Sequence, residues 1–447
     1  MQNTLLSLSL LFVLACSKPD RADQNPGPGN PGNPGNPGNP GTTLTITTVS
    51  PDSAEAVPVT ITGTGFSTIP SENEVRFGTL VATVQSATAT QLDVLLPANI
   101  TAGDYDVHVK VKSQAAVKTK GFHFVDWVVS TLAGAGDNGT PNSQAIDGPG
   151  NIATFIRPVG SAIDANGNLY VADFNKIRKI TPQGVVSTVA GSDQRGNADG
   201  NAAVATFNSP TDVAADDAGN IYVADYSNHL IRKISPSGQV STIAGSGTAG
   251  YADGIGAAAF TLPYGLAIDP DNRYLFVSDY ANRRIRKIKF ITDEVTTLAG
   301  DGTRNSTDGN GINAAIAGPG GLSFDKNGNL YVTERDGGKV RKITPAGDVT
   351  TIAGTLSANT RPAHLAVDDN LNLYIVWKGL SRVRKLLPNG QETEFIGTGN
   401  SGDINGALNA AMINSPEGIE VIKDANGKLT FYIIDTNNKK IKKVTKQ

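Results

Sequence analysis

Six prolines constrain this chain more than any other feature. Pro158, Pro210, Pro263, Pro319, Pro362 and Pro416 stand at intervals of 52, 53, 56, 43 and 54 residues, and each of the first five opens the same series of four apolar runs. The clearest copy starts with Pro210 to Asp216 and continues through Gly219-Asn220-Ile221-Tyr222-Val223-Ala224-Asp225 and Ile231-Arg232-Lys233-Ile234. It ends in Val240-Ser241-Thr242-Ile243-Ala244-Gly245. Short apolar runs separated by Gly, Asn and Asp are the pattern of antiparallel strands and tight turns. A unit this small cannot bury its own apolar faces, so neighbouring units must pack face to face.

Strand bookkeeping then predicts how the array closes. The first five units each end in a run like Ser-Thr-Val-Ala-Gly, while the sixth reaches Lys446-Gln447 without one. An unclaimed copy, Val129-Ser130-Thr131-Leu132-Ala133-Gly134, precedes the first unit. Supplied to the last unit, it closes a six-bladed β-propeller over residues 127–447 and leaves no open sheet edge. The 50 glycines and 24 prolines fit an all-β chain of this kind.

Residues 44–125 read as a separate small immunoglobulin-like β-sandwich. Leu92, Val94 and Leu96, and Tyr105, Val107, Val109 and Val111, alternate as half-buried strands do. The stretch Ile46-Thr47-Thr48-Val49-Ser50-Pro51, then Val59-Thr60-Ile61-Thr62-Gly63-Thr64-Gly65-Phe66, resembles the IPT/TIG family, as do Val75-Arg76-Phe77-Gly78 and Leu95-Leu96-Pro97. That resemblance implies a spacer or a protein-contact module. The repeated units resemble the NHL-repeat family through Gly-Asn-Leu/Ile-Tyr-Val-Ala-Asp and Asn228-His229-Leu230-Ile231-Arg232-Lys233. Two units depart from the pattern: Trp377 replaces the strand-end acid in the fifth, and the sixth reads Ile441-Lys442-Lys443.

The N-terminus carries its own signals. Leu5 to Leu14 is apolar but too short to span a bilayer, and it runs into Val13-Leu14-Ala15-Cys16. This resembles the bacterial lipobox, which implies a signal peptide at 1–15 and acylation of Cys16. Ser17 in place of Asp points to the outer membrane. The Asn-Pro-Gly repeats within 16–43 offer nothing to bury and read as a solvated linker. Cys16 is the one cysteine, so no intrachain disulfide and no cysteine-rich metal site can form. A net charge of −3, with Lys and Arg distributed around the ring beside acids, gives no nucleic-acid footprint.

Candidate functional residues divide by whether they repeat. Asp173, Asp225, Asp279, Glu334 and Asp435 on the second strands, with Arg178, Arg232, Arg286, Arg341, Arg384 and Lys442 on the third, serve what every blade needs: charge-assisted hydrogen bonds within the blade. Asp164, Asp216, Asp269, Asp325 and Asp368 open hairpin turns. The interblade pairs Asp147-Gly148, Asp199-Gly200, Asp253-Gly254 and Asp308-Gly309 are expected to turn the backbone around the central mouth. The loops between second and third strands vary from blade to blade. They place Phe174, Tyr226, His229, Tyr280, Arg283, Arg335, Trp377 and Lys378 on one face, a set of aromatics and cations suited to sugars. Trp377 stands out as the repeat-breaking aromatic. The competing reading has Phe174, Tyr226 and Tyr280 capping the space between blades. Two residues after each starting proline stand Gly160, Asp212, Gly265, Gly321, His364 and Gly418. Asp212 and His364 come from opposite blades and form the one candidate catalytic pair, with Glu417 or Glu420 nearby.

Lipobox, linker, IPT/TIG module and propeller together resemble the surface glycan-binding lipoproteins of Bacteroidota polysaccharide-uptake systems. The resulting expectation is a monomeric, lipid-anchored, non-catalytic outer-membrane binder of polysaccharide or oligosaccharide, needing neither cofactor nor metal. A propeller lyase or hydrolase using His364 and Asp212, and a scaffold for an outer-membrane protein partner, remain as alternatives.

Overall fold

The computed structural model describes residues 42–50, 53–54, 59–97, 100, 103–124, 126–136, 144–354 and 360–446. The signal-peptide run, Cys16 and nearly all of the linker lie outside the described residues. Among those described, the regular elements are strands and single 3-10 turns, with no α-helix.

Blade 2 shows how sequence becomes sheet. Its strands Asp212–Ala215, Ile221–Asp225, Leu230–Ile234 and Gln239–Ala244 pair antiparallel in chain order. Every residue of Ile221–Asp225 is buried, because both faces of an inner strand are covered by neighbouring blades. Outward, the burial relaxes, and Gln239–Ala244 keeps only Val240 and Ala244 buried. Blades 1, 3, 4 and 5 repeat the arrangement, starting at Pro158–Ile163, Pro263–Ile268, Pro319–Phe324 and Pro362–Val367. Blade 6 takes Gly418–Lys423, Leu429–Asp435 and Lys440–Lys446 from the C-terminus. Its fourth strand is Trp127–Ala133, which pairs antiparallel with Lys440–Lys446 and closes the ring as the strand bookkeeping requires.

Apolar contacts knit each blade to the next. Between blades 2 and 3, for example, Tyr222, Ala224 and Ile231 pack on Phe260, Leu275 and Val277. Phe155, Phe207 and Phe260, each fully buried, are wedges sent inward by the interblade loops. Over them lie the guanidiniums of Arg178, Arg232 and Arg286, 5.3, 5.2 and 5.0 Å from the ring centroids.

Those arginines carry the repeated ionic device. Arg232 donates to Asp225 at 2.9 Å, to Asp199 at 2.6 Å, and to the Thr206 and Ala198 carbonyls, with no exposed side-chain surface. Arg178 pairs with Asp173 and Asp147, Arg286 with Asp279 and Asp253, and Arg341 with Glu334 and Asp308. In blade 6 Lys442 reaches Asp403. The interblade aspartates therefore do something other than turn the backbone around the mouth. Asp199 accepts from Arg232 and from the Thr242 amide and hydroxyl, so these acids clamp the outer strand at the blade's far side from the axis. The cause is reach: the long guanidinium stem bridges the acid at the end of the second strand and the loop acid outside it. The hairpin acids behave as expected, Asp216 accepting from the Asn220 amide and from the Tyr222 hydroxyl.

The N-terminal unit is an all-β immunoglobulin-like domain whose strands order as Thr45–Ser50, Val59–Thr64, Gln91–Leu95, Leu80–Ala87, Asn73–Phe77, Gly103–Val111, Gln114–Phe124 and Ser53–Ala54. Its core holds Val59, Ile61, Val75, Leu92, Val94, Val107 and Val109, with Phe77 and Phe122 edge-on at 4.9 Å.

Candidate functional site

The inner strands converge so closely that side chains near the axis must be small. A Cβ on Gly160 would lie 2.2 Å from Asp212 Oδ1, one on Gly321 2.6 Å from the His364 Cα, and one on Gly265 2.2 Å from the Gly320 carbonyl oxygen. Glycine is required there, and Asp212 and His364 fill the space the glycines leave. Both are buried, with His364 Nδ1 3.9 Å from Asp212 Oδ2, beyond hydrogen-bond reach. Asp212 Oδ2 accepts the Leu266 amide at 2.8 Å, and Ser161 donates to Glu420 at 3.2 Å. His364 Nε2 and Asp212 Oδ1 have no partner among the described residues. This cluster floors a cavity of 370 Å³ that opens past Ile163, Ala215, Pro270 and Lys326, at the C-terminal ends of the inner strands.

Burial sets the charge of this cluster. It lowers His364 to about 4, against the pull of Glu417. It pushes Asp212 well up, with Glu420 adding to the rise, and pushes Glu420 itself up to about 8. Between 4.5 and about 8 the folded chain therefore holds a proton on Glu420 that the unfolded chain has released. Stability falls with rising pH across that window, by up to about 1.4 kcal/mol per pH unit. His364 contributes the opposite slope, since from its ordinary 6.5 down to about 4 only the unfolded chain takes up the proton. Glu420→Gln removes the carboxyl's share. The stability difference between variant and wild type should grow in the variant's favour from about pH 4.5 to 8 and then level off, as read by urea midpoints. Parallel curves would contradict the assignment.

The opposite end of the axis is built differently. One residue after each starting proline stand Val159, Thr211, Tyr264, Gly320, Ala363 and Glu417. Tyr264 and Glu417 come from opposite blades and meet across the axis, the Tyr264 hydroxyl donating to Glu417 Oε2 at 2.8 Å. Arg335 Nη1 donates to the same carboxylate oxygen at 2.9 Å and to the Tyr264 hydroxyl, and its guanidinium lies 4.3 Å from the Tyr264 ring centroid. Lys378 holds the other oxygen, Oε1. Burial alone would raise the Glu417 carboxyl, but the Arg335 and Lys378 charges bring it down to about 2, so it stays ionised. Burial, outweighing the nearby Arg335, keeps the Tyr264 phenol well above its usual range.

On this floor sits a cavity of 260 Å³ lined by Arg157, Ser209, Thr211, Tyr226, Ser227, Tyr264, Tyr280 and Arg335. The Tyr226 and Tyr264 rings meet edge-on at 6.1 Å, and Tyr264 and Tyr280 are tilted at 6.2 Å. Tyr280 donates to Asp336 at 3.0 Å. Neither the Tyr226 hydroxyl nor the Arg157 guanidinium has a hydrogen-bond partner among the described residues.

Of the residues singled out in the sequence, the structure thus brings Tyr226, Tyr280 and Arg335 together around one cavity, with Lys378 beneath it. Trp377 does not join them. It is fully buried, packed on Tyr331, Val340, Leu365, Ile375 and Leu386 between blades 4 and 5, and it offers a ligand no surface. The aromatic that breaks the repeat replaces an ionic core position with an apolar one, and Arg384 turns to Glu394 and Glu392 instead. His229 is half-buried and its Nδ1 accepts the Leu262 amide at 3.1 Å. Arg283 donates to the Ala281 carbonyl of its own loop. Phe174 lies under the Arg195 guanidinium. Tyr264 and Arg157 were missed by the sequence reading, which followed the second-to-third-strand loops. The signal was the variability of the positions directly before and after each proline, where Arg157 and Tyr264 stand. Among the described residues no three His, Cys, Asp or Glu side chains converge as a metal-ligand set.

The family model of the Teneurin NHL domain matches residues 126–195 and 192–378, and the IPT/TIG domain model matches 44–124. Zebrafish (Danio rerio) teneurin-3 is 29% identical over 214 residues, 42% of this chain but only 7% of that protein. Human NHL repeat-containing protein 2 is 30% identical over 262 residues, 49% of this chain and 36% of that protein. Two solved structures share the fold nearly end to end. An auxiliary nutrient binding protein from Bacteroides ovatus has a TM-score of 0.55 at 17% identity, covering 93% of this chain and all of that one. A Bacteroides thetaiotaomicron protein of unknown function has a TM-score of 0.54 at 20% identity, covering 92% and 99%.

Proposed function

The chain belongs to the Teneurin NHL domain family, and we propose that its propeller is a non-catalytic binding module for polysaccharide or oligosaccharide, held in the tyrosine-lined cavity. The observation that carries this reading is the convergence of Tyr226, Tyr264, Tyr280, Arg157 and Arg335 on one preformed recess. Sugars present hydroxyl edges and C–H faces. Hydroxyls, guanidiniums and phenol rings on a rigid ring match both without reorganisation. At 260 Å³ the recess is slightly smaller than the ~300–1,000 Å³ typical of ligand pockets, which suits one sugar unit or the end of a chain. Binding of nutrients is what the description of the Bacteroides ovatus structure assigns to that protein. The same class of role is proposed here, on the strength of the cavity.

The proposal extends to setting. Acylation at Cys16 would anchor the chain in the outer membrane, and the Asn-Pro-Gly linker and IPT/TIG domain would hold the propeller outward. Affinity electrophoresis through polysaccharide-containing gels, followed by titration of the retained glycan, tests the binding. Tyr226→Ala and Tyr280→Ala should each weaken it by about tenfold, the loss of about 1.4 kcal/mol of contact. Retention unchanged in both variants would remove the cavity from the reading.

A further inference from the structure

The cavity carries more positive charge than its own structure uses. At its floor, the single carboxylate of Glu417 is met by two cations, Arg335 at 2.9 Å and Lys378. Asp336, at the rim, is exposed and accepts from Tyr280. Arg157 adds a third cation to the wall, and its guanidinium has no carboxylate within ion-pair distance among the described residues. Three cations thus face two carboxylates, and the surplus charge is the one that points at the cavity rather than into the protein.

Its placement is particular to blade 1. The residues that precede the inner strands are Arg157, Ser209, Leu262, Gly318, Arg361 and Ser415, so no acid occupies this ring. Arg157 and Arg361 are both exposed, and Arg157 is the one that lines the cavity. Arg157, with its five N–H donors, shares the lining of the cavity with Tyr226, Ser209 and Ser227. A donor-only fork next to a wall of hydroxyl donors matches an anion, and a planar two-oxygen anion best of all.

Resting on the glycan reading above, we infer that the cavity selects an acidic sugar, whose anionic group pairs with Arg157 while its hydroxyls meet Tyr226, Ser209 and Ser227. The shared chemistry is one oxyanion on a sugar-sized head, either a uronate carboxylate or a sulfate ester. The fork geometry of Arg157 suits the carboxylate.

The test uses the full chain and four probes: an oligogalacturonide, its methyl ester, a neutral galactan oligosaccharide and a sulfated galactan oligosaccharide free of uronate, titrated by calorimetry at low and raised salt. The inference expects an acidic probe to bind at least about tenfold tighter than the neutral ones, with a preference that salt weakens. Tighter binding of the uronate than of its ester identifies the carboxylate, and tighter binding of the sulfated galactan than of the neutral one identifies the sulfate. Arg157→Gln, an exposed substitution away from the core, should abolish that preference. Equal binding of acid and neutral probes overturns the anion, and a preference that survives Arg157→Gln overturns its pairing with Arg157; both outcomes leave the glycan reading intact. Silence from every probe, with Tyr226→Ala changing nothing, overturns both.

Discussion

Replacing Trp377 with alanine is expected to destabilise the chain by about 3–5 kcal/mol, the cost of emptying a large aromatic site in a packed core. The same change should leave the ligand affinity of the folded protein within about twofold of wild type, in the range of substitutions that touch no ligand. Trp377 has no exposed surface and packs on Tyr331, Val340, Leu365, Leu373, Ile375 and Leu386, so truncation opens a cavity that surrounding strands cannot collapse to fill. Urea unfolding reads the first effect and glycan titration of the folded fraction the second. A stable variant that no longer binds would show that Trp377 contacts ligand after all and that the burial described here is wrong.

Arg286→Ala should cost a comparable amount, about 3–5 kcal/mol, through a different cause. Asp279 and Arg286 are both completely buried and 2.7 Å apart, and Arg286 also holds Asp253 at 2.6 Å and the carbonyls of Ala252 and Ala259. Burial already raises the Asp279 carboxyl, against the Asn282, Thr261 and Arg286 interactions that lower it. Without the guanidinium the carboxylate is stranded, and the interblade loop loses its tie to the sheet. Arg286→Lys should recover part of the loss, because blade 6 places Lys442 at the equivalent position and ties it to Asp403. Arg273→Ala is the comparison: its pairing with Asp271 is on the surface, and loss of it should change stability by less than about 0.5 kcal/mol. Equal effects from Arg286 and Arg273 would contradict the structural role given to the repeated ion pairs.

The two variants also show what the sequence could and could not say. The ring was legible because it is written six times: a residue that recurs in each unit answers a need common to each unit, and the strand count alone required the Trp127–Ala133 strand to close blade 6. The same logic identified the Asp/Arg ladder as structural. Its weak side lay where a unit departs from the pattern. Trp377 breaks the repeat and was taken as a ligand platform. A departure can equally be a local repacking, and nothing in a one-dimensional pattern tells which way a strand-end side chain points. The interblade aspartates were placed at the mouth for a related reason. Chain order puts them near the inner strand, whereas the guanidiniums draw them to the outer one. The cavity was half legible. Tyr226, Tyr280 and Arg335 stood out as variable loop residues, but Tyr264 and Arg157 enter through the closeness of opposite blades, a distance that exists only once the ring is closed.

Asp212 and His364 illustrate the reverse case. The sequence correctly set them facing each other as the two departures from glycine in opposite blades. The structure then holds them 3.9 Å apart in a buried cluster behind the Tyr264 layer, with the ring centroids of Tyr264 and His364 6.0 Å apart. Their cavity opens at the other end of the axis from the tyrosines. Ligand could therefore engage one end without touching the other, and the two ends can be distinguished by experiment.

Hydrogen exchange followed by mass spectrometry, with and without a saturating oligosaccharide, makes that distinction most directly. Protection should concentrate in peptides carrying Arg157, Tyr226, Tyr264 and Tyr280, with those carrying the hairpin turns at Asp269 and Asp325 unchanged. Protection centred on the Asp269 and Asp325 turns would put the ligand at the Asp212–His364 end and contradict the central claim.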